Sequence, residues 1–336
     1  MILVTGGTGF LGAHLLAHLI QNNENIRAIY RNESSFEKVK QVFGYYFDAP
    51  EKEFSKINWF KTDITDIVTL AAAFENVKYV YHLAAMVSFD PRARVTLHKV
   101  NIEGTANIVN LCLDYNVSKL CYSSSVAAID KKVKQDLIDE SGEFIIDQYK
   151  SDYSITKHGG EMEVWRGSQE GLDVVIVNPG IILGKGYWNT GSGKLFSKIN
   201  KGMPFYSKGE MGFVSVEDVV GSMVKLTNST ILNERFILVA ENKSYQSIFN
   251  AIAENLNKRK PTIEISKSLG NFFWRLASAV SFFTGKEPVI SKFSARSMQR
   301  KSNFSNKKIQ ETIGFKFTPI DNTIKSICNS FLKDHK

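Results

Sequence analysis

The chain has 336 residues, enough for one large domain or two ordinary ones. Hydrophobic residues are 43% and charged residues 23%, a globular balance that excludes disorder across the chain as a whole. No uncharged apolar run reaches the roughly 18 residues of a spanning helix, and the best window, residues 269–284, is interrupted by Arg275.

Residues 1–5 form a short apolar run that ends in glycines and reads as a strand. Residues 10–21 follow with helical periodicity through Leu11, Leu15, Leu16 and Leu19. Residues 25–30 are a second strand, and the polar stretch 32–56 is expected to hold one helix. A strand at 57–61, a helix at 66–74 and a continuous apolar strand at 77–83 come next. A long helix is predicted over 100–115, a strand at 119–123, a helix over 153–170 and a β-branched strand at 173–177. Strands alternating with helices of this length predict βαβ units and a parallel sheet covered on both faces. After Pro179-Gly180 the chain is rich in Gly, Ser and Lys to residue 212, as expected of loops shaping a pocket. Residues 216–226 are again helical, and the chain after Arg235 adds a strand, several helices and a basic tail. The expected architecture is an α/β Rossmann-type doubly wound parallel sheet with a smaller C-terminal α/β substrate-binding region. Residues 1–180 would bind the dinucleotide, with 213–240 returning to that domain, and residues 181–212 and 241–336 would bind substrate.

Cys112, Cys121 and Cys328 are widely spaced and odd in number, so they fit no disulfide framework or zinc pattern. They read as buried thiols in a reducing cytosol. The opening Met1-Ile2-Leu3-Val4-Thr5-Gly6 has no leader pattern, which adds to a cytoplasmic expectation. The six histidines show no metal spacing; His14 and His18 are expected on a surface face of the first helix, and no metal is expected. The net charge of +8 is uneven: residues 1–256 hold 26 Lys/Arg against 29 Asp/Glu, whereas 257–336 hold 16 against 5. Without a nucleic-acid motif, the basic end reads as a solvated face rather than a nucleic-acid or membrane surface. Residues 271–283, rich in Phe, read as a core helix or the wall of an apolar pocket, with membrane contact disfavoured.

Gly6, Gly9 and Gly12 lie between the first strand and the first helix. There, glycines permit a tight turn, close approach of a pyrophosphate and close helix–strand packing, and the helix N-terminus offers free N–H groups. The second strand ends in Arg31, nineteen residues after Gly12, with no acid at that end. An acid would take a ribose 2′-OH, whereas Arg accommodates a 2′-phosphate. Arg31, with Lys38 as a second charge, favours NADP(H) and leaves NAD(H) possible. Tyr153 and Lys157, at i and i+4, share a helix face. A nearby ammonium would lower the phenol pKa and make Tyr153 a general acid for a carbonyl oxygen. Ser123, Ser124 and Ser125 end a strand where an open α/β sheet binds ligands.

These pieces occur in a fixed order along nearly the whole chain. His82-Leu83-Ala84-Ala85, Val100-Asn101-Ile102-Glu103-Gly104-Thr105, Asn178-Pro179-Gly180, the segment from Phe213 to Val219 and that from Lys307 to Phe315 complete the series. The set resembles the extended short-chain dehydrogenase/reductase family within the epimerase/dehydratase superfamily, on its dihydroflavonol 4-reductase-like and 3β-hydroxysteroid dehydrogenase-like branch. The resemblance implies Ser125 as the hydroxyl that fixes the substrate oxygen, with Tyr153 and Lys157 as its catalytic partners. It implies a cofactor shell of Gly6, Thr8, Gly9, Phe10, Leu11, Gly12, Arg31, Lys38, Asp63, Ile64, Leu83, Ala84, Ala85, Asn101, Ser123, Pro179, Gly180 and Ile182, with Tyr153 and Lys157 shared. Ser88, Ser124, Tyr187, Trp188, Lys194 and Phe196 are candidates for the substrate pocket. A homodimer paired through residues 101–115 and the Tyr153 helix is also implied. The expected activity is NADP(H)-dependent reduction of a ketone or aldehyde, or oxidation of the alcohol. A nucleotide-sugar epimerase holding NAD is the alternative, and a non-catalytic NADP sensor ranks last because Tyr153 and Lys157 are both kept. The apolar Val126-Ala127-Ala128-Ile129 after Ser125 argues against a sugar dehydratase, which uses an Asp-Glu pair there.

Overall fold

In the computed structural model, every residue is described except 133–134, 148–149, 267–268, 271–273, 276–292, 294–296 and 336. Most of the aromatic segment 271–283 therefore lies outside the described residues. The strands are β1 (Ile2–Thr5), β2 (Ile26–Tyr30), β3 (Asn58–Lys61), β4 (Tyr79–His82), β5 (Lys119–Ser123), β6 (Val174–Pro179), β7 (Ile181–Leu183), β8 (Phe205–Tyr206), β9 (Glu210–Ser215), β10 (Glu234–Leu238), β11 (Glu241–Ser244) and β12 (Ile263–Glu264).

Seven of them form one parallel sheet in the order β10-β6-β5-β4-β1-β2-β3. The order reverses between β1 and β4, which opens a crevice beyond their carboxyl ends, where doubly wound sheets bind ligands. Alternate residues of each strand serve opposite faces. Val4, Ala28, Tyr81, Cys121 and Val175 join one buried cluster with helix Phe10–Gln21 and helix Val216–Thr227. Leu3, Ile29, Val80, Leu120 and Val174 join another with helix Gly104–Asp114 and helix Asp152–Gln169. Burial on both faces explains why the central strands read as unbroken apolar runs. A second sheet, β11-β9-β7, backs a third cluster built from Leu183, Phe196, Phe213, Ile248, Ile324 and Phe331. All three cysteines are free and buried.

The chain departs from the expected elements most clearly in two helical regions. The single helix expected over 32–56 is a 3-10 turn (Glu33–Ser35) and two short helices, Phe36–Phe43 and Pro50–Phe54. Gly44 ends the first of these helices, and Pro50, placed at the start of the second, carries no N–H to continue a longer one. The long helix expected over 100–115 is interrupted: helix Arg94–His98 passes through a π turn, Lys99–Glu103, into Gly104–Asp114. The π turn carries Asn101, which is held by groups outside the helix.

Candidate active site

Gly6 ends β1 with φ +69, and a Cβ there would lie 2.7 Å from the Ala84 nitrogen. The Leu83-Ala84 backbone after β4 thus passes directly against the glycine turn. A Cβ on Gly12 would lie 2.2 Å from the Gly6 carbonyl oxygen. Gly9 donates its N–H to that same oxygen at 2.9 Å and stands as N-cap of the first helix without a side-chain cap. The first-turn N–H groups and the positive end of the helix dipole are therefore available at the crevice. This bare cradle, which side chains would fill, fits the pyrophosphate of a dinucleotide. Half-buried Thr8, Phe10 and Leu11 complete the turn.

Arg31 follows β2 with its side chain 73% exposed and its guanidinium 3.5 Å from the Asp63 carboxylate. Burial opposes ionisation of Asp63, but the Thr65 N–H and hydroxyl, with Arg31, outweigh it and hold the acid below its ordinary value. Ile64 is buried against the Cβ-less Gly104. Lys38 is exposed, with its ammonium 5.9 Å from the centre of the Tyr187 ring beside the glycine turn. Glu33 is within 3.4 Å of the Tyr30 hydroxyl.

Ser123, Ser124 and Ser125 emerge from the carboxyl end of β5, and Tyr153 and Lys157 lie on helix Asp152–Gln169 against it. Ser151 caps that helix by accepting the Ser154 N–H. Gly160 lets the helix approach closely, since a Cβ there would sit 2.4 Å from the Asn101 carbonyl oxygen and 2.6 Å from the Tyr122 hydroxyl. Asn101 is buried and clamps Met86 through its N–H (2.7 Å) and carbonyl (3.0 Å) while donating to the Thr156 hydroxyl. Burial raises the Tyr153 pKa, and the Ser125 hydroxyl offsets only part of that rise. Lys157 is buried and donates to the Tyr122 hydroxyl at 2.9 Å and to the Ser123 carbonyl at 2.8 Å. Burial pulls its ammonium down to about 7. The expectation that Lys157 depresses Tyr153 is therefore corrected: the phenol is pushed up, and the ammonium engages β5. Pro179 ends β6 and Gly180 follows it, packed so close to the Gly212 carbonyl oxygen that a Cβ would lie 2.4 Å away, and Ile182 pairs with Val214 in the small sheet. Leu83 and Ala84 are half-buried and Ala85 is exposed at the crevice.

The structure does not bring the six substrate-pocket candidates together. Ser124 is buried and donates its hydroxyl to Glu161 at 2.6 Å. Trp188 and Phe196 pack on one another, and the indole N–H donates to Asp334 at 2.7 Å, so both belong to the C-terminal core. Tyr187, at φ +54, donates to the Thr8 carbonyl at 2.7 Å and lies edge-on to Phe10, which puts it over the glycine turn. Ser88 is buried and accepts the Asp90 N–H. Lys194 is exposed on helix Gly193–Asn200. Apolar patterning alone does not separate a pocket wall from a core.

The sequence also missed four residues around the site. Phe89 is 40% exposed, lies edge-on to Tyr153 at 5.7 Å and stacks on Phe293 at 5.3 Å. Its signal was the unpaired aromatic next to the singled-out Ser88. Glu161 and Arg235 form a buried ion pair behind Ser124, and Glu161 continues the i, i+4, i+8 series of Tyr153 and Lys157. His14, expected on the surface, is buried between the Tyr46 hydroxyl and the Lys185 carbonyl.

His82 ends β4 and is fully buried. The Thr5 hydroxyl accepts the Leu83 and Ala84 N–H groups, so its own proton goes to His82 Nδ1 at 2.7 Å. That fixes the Nε2–H tautomer, which donates to Thr105 at 3.0 Å. Burial, helped by the Lys157 charge, lowers the imidazole to about 3, and burial lowers His14 to about 4. Both are neutral when folded, whereas in the unfolded chain they return to 6.5. Below pH 6.5 the unfolded state binds more protons, so this stability is complete above 6.5 and is lost as pH falls toward the folded values. Each contributes a slope of up to about 1.4 kcal/mol per pH unit. The urea midpoint is expected to drop clearly between pH 7 and 5, and His82→Gln to flatten that drop; an equal drop in the variant would remove His82 from the account.

Among the described residues no group of three or more His, Cys, Asp or Glu could hold a metal ion. None of the described helices is long and apolar enough to cross a membrane.

The model of the NAD dependent epimerase/dehydratase family matches residues 2–236. A Synechocystis sp. protein assigned as a dihydroflavonol 4-reductase is 30% identical over 253 residues, covering 73% of this chain and 69% of that protein. The 3beta-hydroxysteroid-dehydrogenase/decarboxylase isoform 1 of Arabidopsis thaliana is 23% identical, covering 98% and 79%. A UDP-glucose 4-epimerase structure from Thermotoga maritima superposes with a TM-score of 0.78 at 22% identity, covering 100% of this chain and 99% of that one, a likeness of fold.

Proposed function

Because this chain belongs to the NAD dependent epimerase/dehydratase family, whose extended short-chain dehydrogenase/reductase pattern its sequence carries, we propose that it reduces an apolar ketone or aldehyde with NADPH. The observation that carries this reading is the apolar wall at Tyr153. The exposed Phe89 ring meets the phenol edge-on and stacks on Phe293, a surface that suits an aromatic or alicyclic carbonyl better than a sugar.

When bound, the reduced nicotinamide supplies hydride to the carbonyl carbon. The chain supplies the proton and the geometry. Burial keeps the Tyr153 phenol protonated at neutral pH, so it is poised as an acid rather than a base. Ser125, whose hydroxyl influences Tyr153, donates to the same substrate oxygen and holds it in line. Lys157, anchored on the Tyr122 hydroxyl and the Ser123 carbonyl, keeps a third N–H that would donate to the nicotinamide ribose. The glycine cradle would hold the pyrophosphate, and Arg31 a 2′-phosphate.

A second reading, an epimerase with tightly held NAD, is favoured by the pairing of Arg31 with Asp63, which leaves the guanidinium less charge for a 2′-phosphate. Fluorescence titration with NADPH and NADH, on the wild type and on Arg31→Asp, separates the two. NADPH is expected to bind at least about tenfold more tightly, worth roughly 1.4 kcal/mol, and Arg31→Asp to abolish the difference. Equal NADH binding, or NAD retained through purification, would move the epimerase reading to the front. A panel of aryl ketones and aldehydes then tests turnover directly.

A further inference from the structure

Glu161 lies one turn beyond Lys157 and two beyond Tyr153 on the same helix face. It has no exposed surface. A buried carboxylate is costly unless it is paired and hydrogen-bonded, and here the partners converge from β10, from β6 and from the turn after β5. One oxygen accepts from Arg235 of β10 at 3.0 Å. The other accepts the Ser124 hydroxyl at 2.6 Å and the Asn178 amide of β6 at 2.9 Å. The same Asn178 amide donates to the Ser125 carbonyl at 3.1 Å. Ser125 is therefore fastened twice, through the side chain before it and through its own carbonyl. Arg235 extends the hub by donating to the Glu140 and Gly142 carbonyls at 2.8 and 2.6 Å, which secures the chain that runs on from Ser125.

We propose that Glu161 is a positioning residue for the carbonyl reduction: through Ser124 and Asn178 it fixes Ser125 against Tyr153, and it supplies the negative charge that faces Lys157. The inference rests on the reductase reading above. Lys157 is surrounded by Tyr122 and the Ser123 carbonyl from β5, by His82 from β4, and by Tyr153 and Glu161 from its own helix. Glu161 is surrounded by Ser124, Asn178 and Arg235, with His158 on its own helix and Asp130 beyond that histidine. The Glu161 charge opposes the effect of burial on Lys157. Removing it leaves the ammonium easier to deprotonate.

Glu161→Gln keeps the shape and removes the charge. In the folded variant kcat is expected to fall about a hundredfold, with NADPH affinity within about threefold of wild type. The Lys157 titration, followed by NMR of ¹³C-labelled lysine, is expected to move to lower pH. A kcat within about threefold of wild type, or an unmoved Lys157 titration, overturns the proposal. If loss of the counter-charge to Arg235 prevents folding, Ser124→Ala decides, because it leaves the ion pair intact. A drop of about tenfold in kcat with KM unchanged supports positioning, and an unchanged kcat overturns it. If the wild-type protein reduces no carbonyl, the reductase reading fails by itself, while the Lys157 titration still decides whether Glu161 acts on that ammonium.

Discussion

Tyr153→Phe is expected to lower carbonyl reduction about a thousandfold while leaving NADPH affinity within about threefold. The substitution removes one oxygen and keeps the ring that lies edge-on to Phe89, so the apolar wall and the helix are undisturbed. What is lost is the proton, which neither Ser125 nor Lys157 is placed to replace. Ser125 is a hydroxyl without a base of its own, and Lys157 is committed to Tyr122 and the Ser123 carbonyl. Ser125→Ala should cost less, about a hundredfold, because Tyr153 still reaches the substrate oxygen. The decay of NADPH absorbance at saturating substrate measures both. A Tyr153→Phe enzyme that keeps a tenth of its activity would show that the proton comes from elsewhere, and water entering at the exposed face of Phe89 would then be the first source to examine.

The parallel sheet was readable because its strands are buried on both faces and so appear as apolar runs bounded by glycine and polar turns. β5 falls on the residues expected of it, Lys119–Ser123. The glycine turn was readable because its constraint is steric and local: Gly6, Gly9 and Gly12 are read from spacing alone. The pairing of Tyr153 and Lys157 on one face follows from helical geometry. Other features depend on contacts distant in sequence, and no local pattern holds them. Trp188 and Phe196 look like pocket aromatics, yet the C-terminal helix Ile320–Asp334 covers them and makes them core. Ser124 and Ser125 are neighbours of the same type, and only their folded contacts separate them: Ser124 donates to the distant Glu161, whereas Ser125 accepts the Ala127 N–H at 3.1 Å. The π turn at Lys99–Glu103 has no signal in the helical pattern, and it carries Asn101, whose side chain clamps Met86 fifteen residues earlier. The direction of the Tyr153 shift was misjudged for a related reason: proximity in sequence suggested that Lys157 dominates, whereas burial does.

Gly12→Ala is expected to weaken NADPH binding more than about a hundredfold, although it adds a single methyl group. The new Cβ would meet the Gly6 oxygen at 2.2 Å and the Gly7 Cα at 2.8 Å. Both are backbone atoms that cannot rotate away, so the helix must shift from β1 or the turn must open. Either movement carries the uncapped first-turn N–H groups off the pyrophosphate position. Gly221→Ala in helix Val216–Thr227 is the matched control, since its Cβ would meet nothing closer than Phe315 at 3.8 Å. Helix propensity alone predicts a gain of up to about 1 kcal/mol there, with cofactor binding unchanged. Thermal melts with and without NADPH read both effects: Gly221→Ala should melt higher and keep the full ligand-induced rise, whereas Gly12→Ala should lose that rise even where it stays folded. A Gly12→Ala protein that is folded and still stabilised normally by NADPH would mean that the pyrophosphate does not sit on this helix, and the placement of the nicotinamide against Tyr153 would fall with it.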